Sequence, residues 1–267
     1  MRKIIRKEDN GPYVDPDGRM HLPPSGIGRC LRYLQLEKQK APEQRIPYSM
    51  YKGGLVHDVA EELIKCLNLA NINAWKKIRS RQRYIPWEWR LPLNIVMPKF
   101  ESTIKSYLMN TTFGKSLQTA QSVWIEQKIE ILMEDFNFPL SFEDTEVKLF
   151  KIVGQTDCYF SNLVLEFKTG NITKTAFLQG LLYEKMARLH WKNPKVKNRI
   201  VNIGPRNVKI GMMSKFWTST GKFRLQKEAD LVTELSYMMT HYLKWYRDHD
   251  YKMPKKATGR CWQCKYY

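Results

Sequence analysis

The chain has 267 residues, enough for one domain with a sizeable buried core. Its 43% hydrophobic content, with 8 Trp, 14 Tyr and 11 Phe, excludes a disordered polymer. Lys and Arg number 45 against 26 Asp and Glu, and the formal charge of +19 favours a polyanionic partner, nucleic acid before an anionic membrane surface. No run approaches the roughly 18 apolar residues of a membrane span, and Met1 to Asp9 lacks the apolar centre of a signal peptide. The 5 cysteines are odd in number and scattered, unlike a secreted disulfide framework. An intracellular protein with no membrane partner is therefore expected.

Residues 1–24 are charged and punctuated by Gly and Pro, which predicts a loose N-terminal arm ahead of one domain over 25–267. A helix is predicted from Ser25, as N-cap, to Lys38, with Ile27, Leu31 and Leu34 on one face and Cys30 beside them. Residues 41–50, with Pro42 and Pro47, read as a connection. A second helix starts near Gly53-Gly54; Val56, Val59, Ala60, Leu63 and Ile64 form its buried stripe, and His57 and Glu61 share another face.

Residues 71–95 form a basic, aromatic insertion. Trp75, Lys76, Lys77, Arg79, Arg81 and Arg83 suit nucleic acid, since bases stack on aromatics while cations meet phosphates; core tryptophans among solvated charges fit the segment as well. Residues 97–118 read as a helix, and 122–133 and 145–153 as strands. Glu126, on the first of these strands, is either a surface residue or a neighbour of the site described next.

The centre of the chain is Gly154 to Lys168, GQTDCYFSNLVLEFK. It reads as two strands turning at Ser161-Asn162. Alternate side chains of a strand share a face, so Glu166 and Lys168 point one way and Leu165 and Phe167 the other. Asp157 precedes Glu166 by 9 residues. Two carboxylates hold a hard divalent cation, and an ammonium beside them stands next to the attacking water or the scissile phosphate.

After a turn at 169–171 a helix is predicted from Thr173 to Trp191, with Gln179 and Tyr183 on one face. Residues 192–207 read as a basic loop, 208–213 as a strand and 223–247 as a helix. On that helix Leu225, Val232, Leu235, Met239, Tyr242 and Tyr246 form a core stripe. Residues 254–267 form a C-terminal cysteine segment ending in Cys261-Trp-Gln-Cys264, a spacing that serves metal or redox chemistry.

The central stretch resembles the PD-(D/E)XK nuclease superfamily. With Gly-x-x-His-x-x-x-Glu at 54–61 and Gln-x-x-x-Tyr at 179–183, the ordered set is similar to the RecB-like branch, including CRISPR-associated and AddB-like exonucleases and their viral or phage relatives. The resemblance spans 25–264. It implies a restriction-endonuclease-like core: α/β, a mixed central sheet flanked by helices, with a helical N-terminal part. It implies Mg2+ or Mn2+ held by His57, Asp157, Glu166 and the Phe167 carbonyl, with Lys168 positioning the water. Gln179 and Tyr183 would face the site and the DNA backbone.

The resemblance also implies a 4Fe–4S cluster on Cys30, Cys261 and Cys264. A fourth cysteine is expected shortly after Cys264, and none stands between there and Tyr267, so another ligand, a missing continuation or no cluster remain open. The implied activity is a metal-dependent DNA exonuclease acting on single strands or ends, in recombination, repair, CRISPR adaptation or viral DNA processing. An integrase, helicase or polymerase is the implied protein partner. The alternative is a catalytically idle nucleic-acid-binding subunit, and RNA as substrate stays open.

Overall fold

The sheet is built around one long strand, β3 (Phe150–Phe160), in a computed structural model that describes residues 12–32, 34–35, 48–65, 76, 87–110, 123–137, 139, 141–160, 162–169, 172–204, 208–211, 217–218, 221–222 and 228–255. Trp75, Lys77, Arg79, Arg81, Arg83, Cys261 and Cys264 lie outside these residues. One edge of β3 pairs along most of its length with antiparallel β2 (Trp124–Leu132). The other edge is shared. Its start pairs in parallel with β1 (Met20–Leu22) and its end pairs antiparallel with β4 (Leu163–Lys168). Beyond β4 come parallel β5 (Lys197–Ile203) and antiparallel β6 (Val208–Gly211). The fold is α/β with a mixed six-stranded sheet.

Each face of the sheet buries its own core. Helices α1 (Tyr48–Lys65) and α2 (Trp87–Met109) cover one face, packing Val59, Leu63, Met97 and Phe100 on Cys158, Phe160, Leu165 and Phe167. Helices α3 (Lys174–His190) and α4 (Glu228–Arg247) cover the other, packing Leu178, Leu182, Leu235 and Met239 on Phe150, Ile152, Ile129 and Val164. These stripes recur at helical spacing, which is why the segments fold as helices. No helix among the described residues is long and apolar enough to cross a membrane.

The central hairpin forms as its alternation predicts. Asn162 takes the left-handed conformation at its turn, with φ of 68°, a conformation asparagine tolerates better than most side chains. The α3 helix spans Lys174–His190 with Thr173 as N-cap, within a residue of the predicted limits.

Several expectations need correction. Asp144–Val147 form a helical turn, so the strand expected from 145 starts only at Phe150, and Tyr246, expected in the core stripe, is 40% exposed. Residues 12–24 are not a loose arm, because Met20 and Leu22 are 0% and 1% exposed on β1, inside the core. No helix starts at Ser25. Pro24–Gly26 form a 3-10 turn, Gly28 has φ of 68°, and helix begins only at Leu31, although Ile27 and Leu31 are buried as predicted. The insertion at 71–95 ends early, because α2 starts at Trp87 and runs through Pro92 and Pro98. Burial of Leu93, Val96, Met97, Phe100 and Ile104 outweighs the cost of about 3 kcal/mol that an interior proline imposes. The basic loop at 192–207 contains β5, whose Ile200, Val201 and Ile203 are buried; flanking Lys, Asn and Arg hide that short apolar run.

Candidate metal centre

Strands β3 and β4 pair only over Cys158–Phe160 and Leu163–Leu165, then part. Asp157 bridges the opening: its Oδ2 accepts the Phe167 N–H at 2.5 Å, replacing the ladder bond that the splayed strands give up. On the same edge, upstream of the opening, the Gln155 N–H donates to the Tyr183 hydroxyl at 3.3 Å. Tyr183 lies this close because residue 154 is glycine. A Cβ there would stand 2.7 Å from both the Tyr183 ring and Pro24.

Glu166 follows on β4. It is 2% exposed, and its Oε1 accepts a hydrogen bond from Lys168 Nζ at 2.5 Å. Its second oxygen is buried with no partner. The predicted common face of Glu166 and Lys168 is therefore realised as a direct ion pair. From α1, His57 brings Nδ1 to 3.8 Å from Asp157 Oδ1, and its ring meets the Phe167 ring edge-on at 5.9 Å. One turn further along α1, Glu61 is buried, and His57, Glu61 and Asp157 each offer a ligand atom within 4.8 Å of one another. Glu126 is exposed on β2 with φ of 51°, facing Asp157 and Glu61 closely enough to repel both.

The acids outnumber the cations here, and their protonation reports it. Burial pushes Glu166 up to about 7, Asp157 adds repulsion, and Lys168 opposes it. Burial also lifts Asp157 to about 6 against the pull of Lys168 and the Phe167 N–H. Glu61 rises to about 7 through burial and then the charges of Glu126, Asp157 and Asp58. His57 is lowered, by burial and then by Lys168, which keeps the imidazole neutral and able to ligate. Burial raises the Tyr183 hydroxyl, which is hydrogen-bonded to Gln179, so it stays protonated.

These donors suit a hard divalent cation. They are carboxylate oxygens and one neutral imidazole, one carboxylate oxygen is orphaned, and a bound dication would remove the repulsion that lifts the acids. The fold thus gathers His57, Asp157, Glu166, Lys168, Gln179 and Tyr183 from four elements. Glu61, absent from the expected ligand set, joins His57 and Asp157; its signal was the four-residue spacing from His57. Of the other candidates, Lys76 is an exposed helical residue and Cys30 is half-buried ahead of the helical turn at Leu31. The remaining cluster and nucleic-acid candidates lie outside the described residues.

No protein-family model matches the chain, and no curated protein matches it. Among solved structures, it is similar to one described as the crystal structure of SSO0001, at 15% identity and a TM-score of 0.32, over 70% of this chain and 77% of that one.

Proposed function

We propose that the chain is a Mg2+- or Mn2+-dependent deoxyribonuclease that hydrolyses phosphodiester bonds, with the exonuclease action on single strands or ends that its motif order implies. The observation carrying this reading is the buried Glu166, paired with Lys168 through one oxygen and unpartnered at the other, beside Asp157, His57 and Glu61. His57, Glu61, Asp157 and Glu166 would hold the cation. A cation held there would supply a bound water of lowered pKa and offset charge growing on the phosphate.

The protein's own groups do the rest. Glu166 anchors the Lys168 ammonium, whose other hydrogens are left to orient the nucleophilic water or a phosphate oxygen. Asp157 ties β4 to β3 through the Phe167 N–H and so fixes the distance between the two carboxylates. Tyr183, held by Gln155 and Gln179, presents a protonated hydroxyl beside the site, suited to a phosphate oxygen. The chain's +19 charge supplies long-range attraction for the substrate.

The test is degradation of end-labelled single- and double-stranded DNA with Mn2+, comparing wild type with Lys168→Ala. Cleavage by the wild type that the substitution abolishes, with DNA binding retained, is the expected result, and the label position reports polarity. DNA binding without cleavage on every substrate and metal would overturn the enzyme reading and leave a nucleic-acid-binding subunit.

A further inference from the structure

Three aromatic side chains distant in sequence converge at the turn end of the central hairpin, on the α3 side of the sheet. Tyr159 of β3 and Trp191, the residue that ends α3, stack with ring centroids 3.7 Å apart and planes 5° from parallel. Trp124, the cross-strand partner of Tyr159, stands edge-on to both, at 6.2 Å from Tyr159 and 6.0 Å from Trp191. It remains 40% exposed. An indole supported on two rings and still 40% exposed is a rigid apolar surface at the rim of the core.

The surroundings are basic and well fixed. The α3 helix ends in a Schellman turn: Lys192 N–H bonds to Leu189 O at 3.2 Å, and Asn193 N–H to Arg188 O at 2.9 Å. This places Lys192 at the left-handed position, φ 48°, where glycine would sit without strain. Lys192 and Lys195 are exposed, whereas Lys197 lies 3.8 Å from Glu184. The loop is locked onto the hairpin turn through Lys197 N–H to Asn162 O at 2.8 Å and an Asn193–Asn162 side-chain bond.

We infer that Trp124, buttressed by Tyr159 and Trp191, is a base-stacking platform for single-stranded DNA, with Lys192 and Lys195 meeting the flanking phosphates. An exposed indole whose supporting Trp191 leads into a loop with two exposed lysines fits an unpaired base on a polyanionic backbone; a purely apolar partner would gain nothing from the lysines, and a paired duplex offers no base face to the indole. Tyr159 lies two residues from Asp157, about 7 Å along β3. One strand could therefore place a base on the platform and a phosphate at the acidic site. The choice of DNA rests on the nuclease reading; the platform itself does not need cleavage.

The experiment is fluorescence anisotropy of a labelled oligo(dT) of about 15 nucleotides with the full chain in EDTA. Cleavage cannot run there, so a failed nuclease reading leaves this measurement intact. Trp124→Ala is expected to raise Kd by roughly fivefold to hundredfold at unchanged salt dependence, with Trp124→Phe restoring most of the affinity. Lys192→Ala and Lys195→Ala are each expected to reduce the slope of log K against log salt by about 0.7. Thermal melting of the same variants checks that the fold holds.

Binding by Trp124→Ala equal to the wild type overturns the platform. Tighter binding of oligo(U) than of oligo(dT) overturns its assignment to DNA. A loss of self-association in sedimentation of Trp124→Ala, with DNA affinity unchanged, would give this face to a second copy of the chain instead.

Discussion

Strand β3 carries two acid–lysine clusters six residues apart, and they are opposites. At its start, Asp15 Oδ1 accepts the N–H groups of Asp17 and Arg19 at 3.0 and 2.9 Å, while Oδ2 lies 2.6 Å from Lys151 Nζ. Burial alone would raise this carboxyl, but Lys151 and the Arg19 N–H outweigh it and hold it at about 2. Further along, Asp157 and Glu166 lie beside Lys168, and Glu61 lies near Asp157, Asp58 and Glu126 with Lys65 as its cation; burial with mutual repulsion lifts Asp157, Glu61 and Glu166 to between about 6 and about 7. Both clusters set buried carboxylates beside a lysine, and β3 contributes Lys151 to the first and Asp157 to the second. The first satisfies its charges and pins residues 12–22 to the sheet. The second compensates them only in part, which is the condition the proposed metal centre requires.

The largest effect expected from this contrast is on chemistry. Lys168→Ala should slow DNA cleavage by at least about 100-fold, since removing one group that acts on developing charge typically costs 100- to 1000-fold. Asp15→Ala should leave that rate per folded molecule unchanged. Labelled-oligonucleotide turnover separates the two clusters, and a comparable loss in both variants would erase the distinction.

Stability should move in opposite directions. Asp15→Ala strips Lys151 of its close partner and two backbone N–H groups of their acceptor, costing about 3 kcal/mol in urea unfolding. Asp157→Asn keeps an oxygen for the Phe167 N–H and removes a repelled charge. In EDTA near pH 8 it should stabilise the protein by up to about 3 kcal/mol, as a carboxyl raised from 3.8 to about 6 implies. Destabilisation by Asp157→Asn under those conditions would contradict the view that this carboxylate is strained.

The pH profile sharpens the contrast. Folded-state values of about 6 to about 7 for Asp157, Glu61 and Glu166 exceed the ordinary 3.8 and 4.5, so the folded state holds more protons than the unfolded one between about pH 4 and pH 7. In EDTA, stability should fall as pH rises through that window. The Asp15 contribution has the other sign: fully present above about pH 4 and lost as pH falls toward 2. Urea midpoints from pH 2 to pH 8 should therefore pass through a maximum on the acid side of neutrality, and Asp157→Asn should flatten its alkaline limb.

The smallest expected effect lies at the platform. Lys192→Gly relieves a left-handed backbone position and should stabilise the fold by about 1 kcal/mol, with weaker oligo(dT) binding at low salt.

Much of the site was legible because its signals are local. Alternation places Glu166 and Lys168 on one face, and helical spacing pairs His57 with Glu61 and Gln179 with Tyr183. Tertiary geometry was not legible. Nothing in the sequence around Asp157 announces that β3 and β4 part after Cys158 and Leu165, yet that opening lets Asp157 take the Phe167 N–H and brings Glu61 into reach. The edge of β3 that β1 shares with β4 was missed for a related reason. Three residues, Met20 to Leu22, carry too short a pattern to reveal a strand, and the prolines beside them read as a loose arm. The Trp124, Tyr159 and Trp191 cluster is long-range from the outset, with no sequence spacing to betray it.

The most direct test of the central claim, that β3 holds an acid cluster built to receive a divalent cation, is calorimetric titration of the wild type with Mn2+ near pH 6.5. Two buffers of different ionisation enthalpy would count the protons exchanged. The account predicts binding coupled to net proton release, because carboxyls raised to between about 6 and about 7 must ionise to ligate, with release fading toward pH 8 and binding lost in Asp157→Asn. Absence of binding at millimolar Mn2+, or binding that releases no protons near pH 6.5, would contradict it.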